Sequence, residues 1–257
     1  MTGRTVTVGI STKMYLGYAS SKAWLEAVMA VARESEAVSA GTVKLFIAPS
    51  FPVLETALGL AGGTPVQIAA QNASEQDSGP LTGEVSPAFL AEMGVSLVEL
   101  GHAERRELFG EDDAVVAAKS AAAQRNNLQP LLCIGEKSRV APEEAARLSY
   151  AQFASAHVDP DGPTPVVAYE PLWAIGATEP AEPAYVRAVA ARLREQLPGN
   201  ATLLYGGSAG PGLLPLLYPH VDGLFLGRFA HDPGNLALIL EEAAVLLAAE
   251  ERPHARA

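Results

Sequence analysis

The chain has little with which to cross-link itself. Its 257 residues include one cysteine, Cys133, which excludes a disulfide framework and any cysteine-based zinc site. That usage suits a reducing compartment. No apolar run approaches the length of a membrane span. The opening residues MTGRTVTVGI lack the apolar core and small-residue cleavage site of a secretory leader, so no signal peptide and a cytoplasmic location are expected. Basic clusters are missing as well. Lys and Arg number 18 against 29 Asp and Glu, a formal charge of -11 at pH 7, so neither nucleic acid nor a membrane is expected as a partner. Low-complexity sequence is confined to the tail ERPHARA, which is expected to fray from about residue 251.

Apolar residues are plentiful at 49%, ample for a core. They recur as short β-branched runs, which predict strands at Val6–Ile10, Val43–Ala48, Val66–Ala70, Val95–Leu100, Pro130–Ile134, Pro165–Tyr169, Thr202–Tyr205 and Gly223–Leu226. Several are continuous rather than alternating, as strands covered on both faces should be. Helical patterns lie between them at Ser21–Ser39, Asp112–Asn126, Pro142–Ala156, Pro183–Gln196, Gly212–Tyr218 and Asn235–Glu250. SPAFLAEM adds another, with Ser86 as N-cap and Pro87 at its first position. Strand and helix alternate through the chain, which predicts a parallel sheet with right-handed crossovers. Eight such units in 257 residues predict one α/β domain over residues 1–257, a closed (β/α)8 barrel.

Chemistry in such a barrel sits where strands end. After the first strand stands Lys13, a cation at the mouth. After the fourth come Gly101-His102-Ala103-Glu104, with His102 at a helix start, where the positive end of the helix disfavours imidazolium. After the fifth come Cys133 and Glu136, given structural roles, with Glu136 expected to pair with Arg105 or Arg106. After the sixth comes Glu170, followed by the apolar Pro171-Leu172-Trp173-Ala174-Ile175-Gly176. A carboxylate among apolar groups is a strong base once water is excluded. Pro171 and Gly176 bracket a segment able to act as a lid. Gly206-Gly207-Ser208 and Gly227-Arg228 follow the last two strands and are expected to offer backbone N–H groups to a phosphate. His157, His220, His231 and His254 are read as surface or loop residues.

These stretches, ELGHAERRELFG, LLCIGE, AYEPLWAIG and LYGGS, with AAQNAS and LTGEVSP in support, resemble the triosephosphate isomerase family from Val8 to about Leu240. The resemblance implies a TIM barrel and a sugar-phosphate isomerase. Glu170 matches the base that moves a proton between adjacent carbons, and His102 the neutral electrophile at the carbonyl, roles for which this family is a standard example. Lys13 matches the cation facing the substrate, and Glu104 its carboxylate partner. Gly176, Ser208, Gly227 and position 228 match the phosphate contacts. Pro171, Trp173, Ala174, Ile175 and Gly176 match the lid. The loop from Asn72 to Glu84, with Thr82 near its end, matches an arm that docks on a second subunit, which implies a homodimer. No metal or organic cofactor is implied.

Four departures from the family pattern stand out: Ser11-Thr12-Lys13 for Asn-Trp-Lys, Ala103 for serine, Gly176-Ala177-Thr178 for Gly-Thr-Gly, and Gly227-Arg228 for Gly-Gly. Ser11 is smaller than asparagine and opens space at the reacting end. Arg228 either turns outward or binds an anion through its fork. Serine in the first loop and Gly-Arg in the last resemble the branch that interconverts L-erythrulose 1-phosphate and D-erythrulose 4-phosphate in erythritol breakdown. Glycolytic triose phosphates are the alternative substrate. A sugar-phosphate-binding barrel without activity and aldol cleavage through a Schiff base on Lys13 are the remaining alternatives.

Overall fold

A computed structural model describes residues 4–156, 158–175 and 181–251. The expectations for His157, Gly176, His254 and the tail beyond residue 251 fall outside these residues.

Eight parallel strands close into a TIM barrel in chain order, with the last paired to the first. They are β1 (Val6–Ser11), β2 (Val43–Ala48), β3 (Gln67–Ala70), β4 (Leu97–Leu100), β5 (Gln129–Ile134), β6 (Val166–Tyr169), β7 (Thr202–Tyr205) and β8 (Gly223–Leu226). Around them stand α1 (Tyr18–Glu34), α2 (Glu36–Ser39), α3 (Leu54–Ala61), α4 (Pro87–Met93), α5 (Ala103–Phe109), α6 (Asp113–Arg125), α7 (Pro142–Ser155), α8 (Pro183–Arg194), α9 (Leu214–Leu217) and α10 (Pro233–Glu251). None of the described helices is long and apolar enough to cross a membrane.

Local signals explain several boundaries. Ser86 caps α4 by accepting from the Phe89 N–H at 3.1 Å, and Pro87 follows where no donor is needed. Gly94 ends that helix at φ 94°, a left-handed turn that costs a side-chain residue more than glycine. Asp112 caps α6 through Val115 N–H at 2.9 Å. The run expected as one helix over Ser21–Ser39 is broken at Ser35. That residue leaves helical geometry (φ -79°, ψ 110°) and its hydroxyl caps α2 through Val38 N–H. Helix α3 carries no strong start signal and was not expected.

Each strand has two apolar faces, and the alternation along it decides where chemistry can stand. Val6, Val8 and Ile10 pack outward under the helices, as do Val98 and Leu100, and Val167 and Tyr169. The opposite phase fills the barrel: Phe46, Leu97, Leu131, Val166, Ala168, Leu204 and Phe225 form a separate inner cluster. Phe46 and Phe225 stack there with ring centres 5.8 Å apart. Gly9 is required opposite them, since a Cβ at that position would lie 2.1 Å from the tip of the Phe46 ring. One step further along the same inward phase come Ser11, Glu99, Cys133, Glu170, Gly206 and Gly227. The active end is therefore the top ring of the inner face, set on an apolar plug.

Candidate active site

A cavity of about 990 Å³ opens at this end of the barrel. The structure brings Ser11, Lys13, His102, Glu104, Glu170, Ile175, Ser208, Gly227 and Arg228 together around it. Pro171, Trp173 and Ala174 stand behind the wall rather than in it, and Thr82 lies away from it, exposed at the tip of its arm.

Glu170 continues the inward phase of β6 past its last paired residue, and its backbone N–H still donates to Ile134 O at 2.7 Å. Neighbouring glycines make room for it. A Cβ at Gly206 would stand 2.5 Å from Glu170 Oε1, and one at Gly135 would strike the Glu170 carbonyl at 1.9 Å. The side chain is buried, and its Oε2 has no hydrogen-bond partner among the described residues. Burial first, then the charge of Glu99, push its pKa up to about 8, while Lys13 and a contact with Cys133 oppose the rise. A carboxylate with that affinity for protons is an effective base when ionised.

His102 faces Glu170 with Nε2 3.4 Å from Oε2. It is the N-cap of α5, and its Nδ1 accepts the Glu104 backbone N–H at 3.1 Å. Nδ1 thus carries no proton, so in the neutral ring the proton sits on Nε2 and points toward the cavity. Burial, and after it the Lys13 charge, hold its pKa down to about 4. The ring is therefore neutral near pH 7, held so by burial and the Lys13 charge.

Lys13 adopts a left-handed backbone (φ 48°), unusual for a side-chain residue. Its carbonyl is pinned by Ser50 Oγ at 2.8 Å and Gln71 Nε2 at 3.1 Å. Its ammonium donates to Glu104 Oε1 at 2.6 Å. Burial works against the charge, yet Glu104 outweighs it, and the pKa is raised overall. Across the cavity Ser208 is also left-handed (φ 45°) and donates from Oγ to Ala174 O at 2.8 Å, tying the loop after β7 to the segment after Glu170. Among the described residues, chain neighbours aside, no atom lies within 4 Å of where a Cβ on Gly227 would stand, which leaves space for a ligand beside its backbone. Arg228 is exposed on the rim, at the start of the 3-10 turn Arg228–His231. Among the described residues no cluster of His, Cys, Asp or Glu has metal-binding geometry.

Two expectations need correction. Glu136 does not pair with an arginine. It is buried and accepts from Tyr169 Oη at 3.1 Å, Trp173 Nε1 at 2.8 Å and Tyr185 Oη at 2.9 Å. Arg105 turns instead to Glu111 at 2.7 Å, and Arg106 to Gly101 O at 2.9 Å and Asp113 at 2.7 Å. The Glu136 side chain turns toward β6, Trp173 and α8 rather than toward the arginines of α5. His231 is not a bystander either. It lines the cavity and meets the edge of Tyr15 with ring centres 5.5 Å apart. Its place three residues after Arg228 was the available signal. His220 is exposed, as expected. Glu99 had a clearer signal, a charge in the inward phase of a buried strand.

The family model described as triosephosphate isomerase matches residues 6–243. The chain is 44% identical to an L-erythrulose-1-phosphate isomerase of Pectobacterium atrosepticum, covering 96% of this chain and 98% of that protein. It is 37% identical to a protein of the same name from Rhizobium rhizogenes (93% and 95% covered) and 35% identical to a triosephosphate isomerase of a Synechococcus species (94% and 98% covered). The chain belongs to the triosephosphate isomerase family.

Proposed function

We propose that this isomerase interconverts L-erythrulose 1-phosphate and D-erythrulose 4-phosphate, with Glu170 as base and His102 as neutral electrophile. The observation that carries the reaction is the approach of buried Glu170 Oε2, which has no hydrogen-bond partner among the described residues, to His102 Nε2 at 3.4 Å across one cavity. Glu170 takes the proton from the hydroxyl-bearing carbon beside the carbonyl. His102 Nε2–H donates to the carbonyl oxygen as charge develops there, and an enediol(ate) results. The proton returns to the neighbouring carbon, and the carbonyl has moved by one position. Lys13 stabilises negative charge on the oxygens and phosphate. In this reading Ser208, Gly227 and the Arg228 backbone grip the phosphate, and the segment that begins at Pro171 covers the enediolate and keeps water from it. Proton transfer of this kind needs an acid, a base and a fixed substrate, and no cofactor.

The names of the relatives and Ser11 on the cavity wall support the four-carbon substrate. The Synechococcus relative keeps triose phosphates as the second reading. Steady-state turnover of L-erythrulose 1-phosphate and dihydroxyacetone phosphate separates the two. A higher kcat/KM on the tetrulose is expected, and a higher value on the triose overturns the substrate assignment. A Schiff base on Lys13 is disfavoured, since an ammonium ion-paired with Glu104 at 2.6 Å is a poor nucleophile. Lack of borohydride trapping checks this.

A homodimer in the cytoplasm completes the reading. Met14, Tyr15, Leu81, Phe89, Leu108 and Phe109 are large apolar side chains left exposed, and Leu81 adjoins Thr82 on the arm. Sedimentation at micromolar concentration should give twice the monomer mass. A monomer contradicts this part alone.

A further inference from the structure

On the cavity's inner ring, the mechanism above leaves the buried Glu99 without a task. Glu99 stands on β4 in the ring just above the apolar plug, and its Oε2 accepts the Ser11 hydroxyl at 2.9 Å. Both residues are buried, and Ser11 forms part of the cavity wall beside Glu170 and His102. A carboxylate in this place is costly. It is taken out of water, and its charge repels the ionised form of Glu170. The carbonyl shift itself needs only one base, so packing and the core chemistry leave Glu99 unexplained.

A serine hydroxyl has one proton and two lone pairs. Burial pushes the Glu99 pKa up to about 7; above that pH the ionised carboxylate takes the Ser11 proton, and Oγ can face the cavity only as an acceptor. It can then receive a bond from a substrate O–H but cannot donate to a carbonyl or phosphate oxygen. We infer that Glu99 is a positioning residue that fixes Ser11 as an acceptor for a substrate hydroxyl at the reacting end, and so selects ketose phosphates carrying a hydroxymethyl there over those carrying hydrogen. This rests on the isomerase reading above and adds to it the pair that discriminates. Lys13, Glu104, Cys133 and Glu170 share the electrostatic surroundings of Glu99, so its removal is read through substrate ratios rather than a single rate.

The test is a double-mutant cycle of Ser11→Ala, Glu99→Leu and both together, each assayed on L-erythrulose 1-phosphate and dihydroxyacetone phosphate. Each single change should lower the tetrulose-to-triose ratio of kcat/KM by about tenfold, the loss of one substrate hydrogen bond. The double variant should fall no further, because both changes remove the same contact. Equal losses on the two substrates, or losses that add, overturn the assignment. If Glu99→Leu fails to fold, an unchanged ratio in Ser11→Ala alone overturns it. A wild-type protein silent on the tetrulose sinks the substrate reading and this inference with it. One active on both, whose variants keep its ratio, sinks only the inference.

Discussion

Two buried carboxylates, 34 residues apart in sequence, face opposite fates at adjoining strand ends. Glu136 is surrounded by neutral donors: two tyrosine hydroxyls and the Trp173 indole all reach it within 3.1 Å. Glu170 is nearly as buried, yet one of its oxygens has no hydrogen-bond partner among the described residues and points at His102. The contrast separates architecture from reactivity. Donors on every side make a carboxylate a fixed joint, here one that anchors Trp173 on the segment after Glu170. Withholding donors while excluding water leaves proton affinity to be spent on substrate.

The comparison breaks most visibly if Glu170→Gln remains active. Turnover should fall on the order of 10³-fold or more, the scale of a lost general base, while inorganic phosphate still binds in a calorimetric titration. Next in size is Gly206→Ala. The new methyl group would stand 2.5 Å from Glu170 Oε1 and must displace the carboxylate. A shift near 1 Å costs roughly 100-fold in kcat, with little change in the denaturation midpoint expected. Glu136→Leu should do the reverse. Leaving its buried donors unpaired should cost about 3 kcal/mol in a denaturant titration. A variant as stable as the parent would contradict the structural role.

The pH dependence is subtler. The base form of Glu170 is gained as pH rises, so the acid limb of kcat/KM should lie well above the ordinary carboxylate value of 4.5, toward 8. Stability runs the other way. A carboxyl whose pKa is raised in the folded state contributes fully below about 4.5 and loses that contribution as pH climbs through about 8. Glu170→Gln should therefore raise the melting temperature at pH 8.5 and shift it far less at pH 4.5. Equal shifts at both values would mean that the buried charge is not the cause.

Much of the architecture could be read from residues alone. Strand positions follow from continuous apolar runs, because a parallel sheet covered on both faces admits little else. Val66 and Val95 were drawn into strands that begin at Gln67 and Leu97, since apolar character extends past the ladder hydrogen bonds. Helix α3 escaped because LETALGLA is short and opens with no side-chain cap. Of the site, Glu170, His102 and Lys13 were visible as polar residues just beyond strands. Partners were less visible. Which residues meet Glu136 depends on how β5, β6 and α8 close, and Ser11 meets Glu99 only because β1 and β4 present the same inward phase across 88 residues of sequence. His231 reaches the cavity through the 3-10 turn that starts at Arg228, so its only signal was its distance from that residue.

The most direct measurement is solvent exchange in heavy water. Wild-type protein should place deuterium on the carbon beside the carbonyl of L-erythrulose 1-phosphate as isomerisation proceeds, read by proton NMR, and Glu170→Gln should not. Deuterium entering at an undiminished rate in Glu170→Gln would show that another group carries the proton and that the unpartnered carboxylate is not the base.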